Sequence, residues 1–176
     1  MSIEGVEQSL KDILKAKDDR VAFHEELLEK FNSPIISYKL NIPGSVKYNN
    51  LIKKIFDEGL FEIMKILDEH KIEIIYKKVI YKDSGPEAFI SFKCSPFKVK
   101  DLCTKLEDKH ILGRIFDIDI LNDKGLQISR QDKNKKPRKC LLCDKSAFEC
   151  GRSRDHDLKD LLIKIEHIAT DYFLNK

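Results

Sequence analysis

The chain has 176 residues, of which 41% are apolar and 36% are charged, and its formal net charge is +3. This length and apolar content predict one domain with a sizeable core and argue against two independent domains. The sequence contains no run of eighteen apolar residues and no secretory leader pattern, so we expect a cytoplasmic protein with no membrane partner. The small net charge gives no general indication of a nucleic-acid partner either.

The first third of the chain predicts helix, strand and helix. Apolar residues recur at helical spacing over residues 3–31, as one helix or as two helices that break near residues 17–19. Residues 35–42 alternate in polarity and are rich in β-branched side chains, which predicts a strand. After a turn, Asn49 or Asn50 caps a helix with a broad apolar face.

The following residues predict a hairpin, a helix, a strand and a final helix. The segments are strands at 72–81 and 88–92, a helix that begins at Ser95 and Pro96, strands at 111–121 and 126–128, and a helix at 156–173. The order in the middle of the chain is thus strand, helix, strand, strand, helix, strand. This order is typical of the ferredoxin-like split β-α-β-β-α-β antiparallel sheet, an α+β fold, here with added N-terminal and C-terminal helices. A nucleotidyltransferase-like mixed sheet is the alternative.

Asp117 and Asp119 stand two residues apart in a predicted strand, so both side chains point to one face while Phe116, Ile118 and Ile120 point to the other. Two carboxylates held this close repel each other unless a cation lies between them. Magnesium accepts carboxylate oxygens together with substrate phosphates, and it serves phosphoryl and nucleotidyl transfer in this way. The pattern therefore favours a catalytic magnesium site, and an exposed acidic edge strand is the alternative.

Basic residues adjoin this acidic pair in the sequence. Arg114 precedes it and Arg130 follows it, and residues 130–139 contain six basic residues against one acidic residue. Arg152 and Arg154 come soon after. Such clusters suit phosphate binding, whereas a solvated lysine-rich loop is the alternative.

Three of the five cysteines crowd together with a histidine in a basic segment, residues 130–156, that we predict to be a loop. Cys140, Cys143, Cys150 and His156 offer four soft ligands at spacings close to those of zinc knuckles. A segment with little apolar content gains order from such a metal. Structural zinc is one interpretation of this segment; free thiols and a nucleophilic cysteine are the others.

Several ordered motifs together carry a family resemblance. They are LNIPGSVK at 40–47, SGPEA at 84–88, GRIFDIDI at 113–120, ISR at 128–130, PRKCLLC at 137–143 and CGRSRDH at 150–156. These motifs resemble the family of transferases that make holo-citrate lyase acyl carrier protein, and the match spans most of the chain in the right order.

The resemblance implies one transferase domain over residues 1–176 and a defined reaction. The family moves the phosphoribosyl-dephospho-CoA part of 2′-(5″-triphosphoribosyl)-3′-dephospho-CoA to a serine of the apo-acyl carrier subunit of citrate lyase, and diphosphate is released. Its product is a phosphodiester, which agrees with the nucleotidyl-type chemistry expected of the acidic strand.

Residue roles follow as hypotheses. Asp117 and Asp119 would bind magnesium, and either of them is a candidate for accepting the serine proton. Arg114, Arg130 and Lys47 would clamp the triphosphate, and Arg152 and Arg154 would meet acidic carrier surface or substrate phosphate. A zinc-stapled RNA- or protein-binding module without catalysis, or a purely structural subunit, are the competing hypotheses.

Overall fold

A computed structural model describes residues 4–129 and 137–176 of the chain. In these residues the strands are β1 (Ile35–Leu40), β2 (Glu73–Ile80), β3 (Glu87–Lys93) and β4 (Phe116–Leu121). The helices are α1 (Leu10–Phe31), α2 (Asn50–Glu69), α3 (Pro96–Lys109), α4 (Ala147–Ser153) and α5 (Leu158–Leu174). Among the described helices, none has both the length and the apolar composition needed to cross a membrane.

The four strands form one sheet in the order β2-β3-β1-β4. Strand β1 pairs antiparallel with both β3 and β4, and β2 pairs antiparallel with β3. The chain therefore has an α+β fold with an antiparallel sheet, as the sequence predicts at that level. Strand β4 lies at one edge of the sheet.

The sheet has apolar residues packed on both of its faces. On one face, β1 and β4 contribute Ile36, Tyr38, Ile118 and Ile120 to the main core, which helices α2, α3 and α5 complete. On the other face, Leu27 of α1 packs against β1 and β3 in a smaller cluster. Helix α1 therefore lies on the opposite side of the sheet from the other long helices.

Helix α1 is one continuous helix and begins later than the periodicity predicts. Ser9 caps it in a reciprocal capping box with Asp12, and Asn32 ends it with a left-handed φ of 44°. Residues 17–19 carry exposed charged side chains that a helix tolerates, so the pattern does not break there.

The prediction of a strand over residues 111–121 is wrong in its first half. Residues 111–115 form turns that follow α3, with Gly113 N–H donating to the carbonyl of His110 at 2.9 Å. A Cβ at Gly113 would lie 2.4 Å from the carbonyl oxygen of Glu107, so the backbone approaches the end of α3 too closely for a larger residue. The strand starts only at Phe116.

The segment after β4 also differs from expectation. Residues 126–128 form only an isolated bridge, between Gln127 and Leu121. The basic segment contains helix α4, which the sequence reading did not predict and which Ser146 and Glu149 begin with a capping box.

Gly59 on α2 is a position at which the packing can be tested. A Cβ at Gly59 would lie 2.0 Å from Tyr38 Oη and 2.9 Å from Phe116, and both of these side chains are buried in the core. Alanine normally stabilises a helix by about 1 kcal/mol over glycine, but overpacking costs about 1–3 kcal/mol. We expect Gly59→Ala to lower the free energy of unfolding measured by urea denaturation.

Gly151→Ala is the matched control for this measurement. Gly151 lies in α4, and a Cβ there would meet no atom within 4 Å. This substitution should raise the free energy of unfolding slightly or leave it unchanged. Equal effects at both positions would contradict the close contact of α2 with the sheet.

Candidate active site

Asp117 and Asp119 lie side by side on the face of the sheet that α1 covers. The alternation predicted from the sequence is present, since Phe116, Ile118 and Ile120 are buried on the opposite face while the two carboxylate side chains are 28% and 27% exposed. Lys39 of β1 is the cross-strand partner of Asp117. Its Nζ lies 2.6 Å from Asp117 Oδ2 and 2.8 Å from Asp119 Oδ2. One ammonium group therefore bridges this acidic pair.

The ionisation of these groups follows from the contact. Burial opposes the charge of Asp117, but the ammonium of Lys39, and then Arg138 and Lys100, outweigh it, so its pKa lies below the usual value. Burial likewise works against the charge of Lys39, and the two aspartates overcome it and raise the pKa of Lys39. Asp117 and Lys39 are therefore both charged at neutral pH.

Side chains also satisfy the unpaired edge of β4. The side chain of Glu107 in α3 is 1% exposed. It accepts a hydrogen bond from the backbone N–H of Ile118 at 3.1 Å and forms an ion pair with Arg138. Lys100 donates to the carbonyl of Ile118 at 3.2 Å. An edge strand exposes unpaired backbone groups, and here charged side chains bind them.

Arg138 connects this edge to the acidic pair. Besides its ion pair with Glu107, its Nη1 donates to the carbonyl of Phe116 at 3.3 Å and lies 3.7 Å from Asp117 Oδ1. On the other carboxylate, Gln127 Nε2 donates to Asp119 Oδ1 at 2.6 Å. Each aspartate thus has its own second partner in addition to Lys39.

Helix α1 contributes a neutral ring near the pair. His24 Nε2 lies 2.9 Å from Ser37 Oγ, and Ser37 is the cross-strand partner of Asp119. Burial, followed by the positive charge of Arg20, lowers the pKa of His24 to about 4. The imidazole is therefore uncharged near pH 7 and does not neutralise the carboxylates.

A cavity of about 230 Å³, which we call the α1 cavity, opens beside Lys39. Its lining comes from three segments: α1, the end of β1 with the residues after it, and the loop before β3. Lys39, Lys47 and the Ser84-Gly85-Pro86 loop all line it. The α1 cavity therefore brings Lys47 to the same region as the acidic pair.

The Cys/His cluster (Cys140, Cys143, Cys150 and His156) is assembled in the structure. Its four ligand atoms all lie within 4.8 Å of one another. The sulfur of Cys143 is 3.4 Å from that of Cys150 and 3.2 Å from His156 Nε2. A tetrahedral zinc site with Zn–S bonds of about 2.3 Å separates its sulfurs by about 3.8 Å, so the cluster is compatible with a metal ion of this kind.

Local hydrogen bonds hold the Cys/His cluster in place. The N–H of Cys140 donates to the carbonyl of Lys145 at 2.8 Å, and the N–H of Ala147 donates to the carbonyl of Arg138 at 2.8 Å. Burial opposes ionisation of Cys140, but backbone N–H groups of Leu142 and Cys143 outweigh it and lower its pKa to about 7. A thiol of this kind supplies a thiolate ligand readily.

The predicted arginines lie in different places. Arg114 lines a second cavity, of about 220 Å³, together with Cys140, Cys150 and His156. Arg152 and Arg154 are exposed at the end of α4. Arg130 lies outside the described residues, so its predicted role stays a prediction.

Sequence reasoning missed Lys39 and gave no role to Arg138 or Gln127. In the local sequence, Lys39 is distinguished only as a lysine within a largely apolar strand, on the same strand face as Ser37. Its partnership with the acidic pair depends on the pairing of β1 with β4, which are separated by four other elements of the chain.

Comparisons with known proteins identify the family. A family model described as apo-citrate lyase phosphoribosyl-dephospho-CoA transferase matches residues 8–172. A Vibrio cholerae serotype O1 (strain M66-2) protein described as "Probable apo-citrate lyase phosphoribosyl-dephospho-CoA transferase" is 34% identical over 165 residues, which is 93% of each chain. Proteins with this family description from Citrobacter koseri and Escherichia coli O1:K1 are each 32% identical over 163 residues, which is 93% of this chain and 89% of theirs.

The match covers the acidic strand, the bridging lysine and the Cys/His cluster alike. With identities above 30% over almost the whole length, the chain belongs to the apo-citrate lyase phosphoribosyl-dephospho-CoA transferase family.

Proposed function

We propose that this chain transfers phosphoribosyl-dephospho-CoA from 2′-(5″-triphosphoribosyl)-3′-dephospho-CoA to a serine of the apo-acyl carrier subunit of citrate lyase and releases diphosphate. Membership of the family supports the reaction and the partner. The observation that supports the chemistry best is the acidic pair, because two partly exposed carboxylates share one cation on a single strand face. The cytoplasmic location stays a prediction.

We further propose the ferredoxin-like split topology for the central part of the chain. The antiparallel order β2-β3-β1-β4, with α2 after β1 and α3 after β3, supports it. In this arrangement α1 is an addition, and it covers the sheet face that carries the acidic pair.

The acidic pair is our candidate for the magnesium site. Asp117 and Asp119 offer hard oxygen ligands, and the contact of both with Lys39 Nζ indicates that this place accommodates a cation. When bound, magnesium neutralises charge that develops on the leaving diphosphate. A metal ion held by the two carboxylates would take the place of Lys39, and the Lys39 ammonium would then be available to a phosphate oxygen.

The acceptor serine attacks the α-phosphorus of the triphosphate in line. A new ester bond forms as the bond to diphosphate breaks, and the serine proton passes to a base, for which one of the two aspartates is the candidate. Arg138, together with Arg114 and Arg130, is a candidate for stabilising charge on the triphosphate, and Lys47 is a candidate for contact with a phosphate group of the donor. Arg152 and Arg154 are candidates for contact with an acidic carrier surface, since both are exposed.

We propose structural zinc for the Cys/His cluster. Three sulfurs and one imidazole at these distances form a donor set that binds zinc in preference to magnesium. The segment from residue 137 to residue 156 has little apolar content with which to order itself. Because Arg138 stands two residues before Cys140, an ordered cluster would also hold Arg138 against Asp117.

Removal of either carboxylate tests the proposed reaction. Protein, magnesium, the triphosphoribosyl donor and apo-carrier are incubated, and the carrier is weighed by mass spectrometry. We expect Asp117→Asn and Asp119→Asn each to lower the rate of carrier modification by at least about a hundredfold, because the metal loses a charged ligand. Asp123→Asn, in the exposed turn after β4, is the control and should retain full activity. Undiminished transfer by both site variants would contradict the assignment.

Lys39 provides a test that does not depend on turnover. Its ammonium competes with a divalent ion for the same oxygens, so Lys39→Met should tighten Mn²⁺ binding roughly tenfold in the absence of substrate. Isothermal titration measures this affinity, with Lys98→Met on the exposed side of α3 as the control. If Lys39→Met leaves the affinity unchanged or weakens it, the carboxylates do not form the metal site.

Metal analysis tests the Cys/His cluster. Purified protein should contain about one zinc ion per chain, and Cys143→Ser should lose most of it because one of the four ligands is removed. Cys94→Ser is the matched control, since Cys94 is a partly exposed thiol outside the cluster. Zinc-free wild-type protein with an unchanged melting temperature after chelator treatment would sink the proposal.

A further inference from the structure

Apolar side chains, which we together call the apolar wall, contribute part of the lining of the α1 cavity. They come from α1, from the end of β1 and from the loop before β3, and they are Ile13, Leu14, Leu40, Ile42 and Pro86. A bare phosphate chain gains nothing from such a wall, whereas the faces of a planar base are stabilised by contact with apolar atoms. The wall therefore indicates a ligand with a heterocyclic ring.

Cations form another part of the lining. Four of them line the cavity: Lys17, Arg20, Lys39 and Lys47. Among the described lining residues, Glu87 is the one acidic side chain, and it is already paired with Arg20 at 2.6 Å and with Lys82 at 2.7 Å. Arg20 neutralises Glu87 and Lys39 contacts the two aspartates, so Lys17 and Lys47 are the cations through which the lining favours an anionic ligand.

Among the lining cations, Lys47 gives the most direct argument for an anionic ligand. It is partly buried, and its Nζ donates to the carbonyl oxygen of Ile42 at 2.5 Å. Within the part of the chain that the structure describes, no carboxylate forms an ion pair with it, and burial lowers its pKa. Lys47 is only partly buried, and a phosphate group would supply a counter-charge for its ammonium.

We propose that the α1 cavity binds the adenine nucleotide of the donor's dephospho-CoA part, an inference that rests on the proposed function. The base lies against the apolar wall, and its phosphate groups reach Lys47 and Lys17. Lys39 connects this subsite to the chemistry, because its side chain lines the cavity while its Nζ contacts both carboxylates. A donor held here directs its triphosphate toward the acidic pair.

Isothermal titration of 3′-dephospho-CoA into the full-length protein, without carrier or donor, tests this subsite. Leu14 is 51% exposed, so Leu14→Trp fills the cavity from its solvent side at little risk to the core. We expect this variant to weaken binding at least about tenfold. Lys47→Met should weaken binding by a similar factor, because a charge-assisted hydrogen bond is lost.

Leu10→Trp is the matched control. Leu10 lies on the same helix, is 73% exposed and is not among the residues that line the cavity. The Leu10→Trp variant should therefore bind dephospho-CoA with the wild-type affinity. Thermal melting verifies that each variant is folded. Inorganic diphosphate should compete only weakly; competition as strong as that of dephospho-CoA would overturn the nucleotide assignment.

The two proposals can fail separately. If wild-type protein modifies the carrier while Leu14→Trp and Lys47→Met keep the wild-type affinity for dephospho-CoA, the subsite is wrong and the reaction stands. If wild-type protein binds dephospho-CoA in this cavity but never modifies the carrier, the subsite is supported and the proposed reaction is wrong.

Discussion

The ammonium of Lys39 between two carboxylates is the contact around which the acidic face of the sheet is organised. Asp117 and Asp119 cannot separate, because alternation along one strand fixes both on the same side. Lys39 approaches them from the neighbouring strand at the register that sets it opposite Asp117. Their mutual repulsion is thereby converted into attraction to a shared cation.

The same register serves the other face of the sheet. With Lys39 opposite Asp117, Tyr38 stands opposite Ile118 and Ile36 opposite Ile120, all four of them buried in the main core. A slip of one residue would turn Lys39 into the core and the isoleucines toward α1. Electrostatics on one face and apolar packing on the other therefore specify one alignment of β1 with β4.

The sequence could predict the features that depend on residues close together in the chain, but not those that depend on contacts between distant segments. Alternation in β4 placed both aspartates on one face, and the cysteine spacing predicted a cluster whose four ligand atoms lie together in the structure. Lys39 was beyond reach because its role arises only from pairing with a strand far along the chain. Arg114 shows the converse, because it adjoins the pair in sequence yet lines the cavity beside the Cys/His cluster.

For two of the wrong predictions, the sequence contains residues that indicate the structure observed. Gly113 interrupts the predicted strand because the backbone there lies against the end of α3, which only a glycine allows. The capping box of Ser146 with Glu149 indicates the start of α4 inside a segment that was predicted to be a loop. In both places specific residues, rather than the average composition of the segment, determine the local structure.

The edge position of β4 explains why distant segments converge on the acidic pair. An edge strand has one row of backbone groups without a neighbouring strand, and here Lys100 and Glu107 of α3 and then Arg138 bind them. Since Arg138 belongs to the segment that carries the cluster, the same contacts that close the edge also bring that segment to Asp117. The edge strand is therefore the place where a sheet, a helix and a cysteine-bearing segment can all contribute to one site, and this is a reason for the carboxylates to lie on β4 rather than on a central strand.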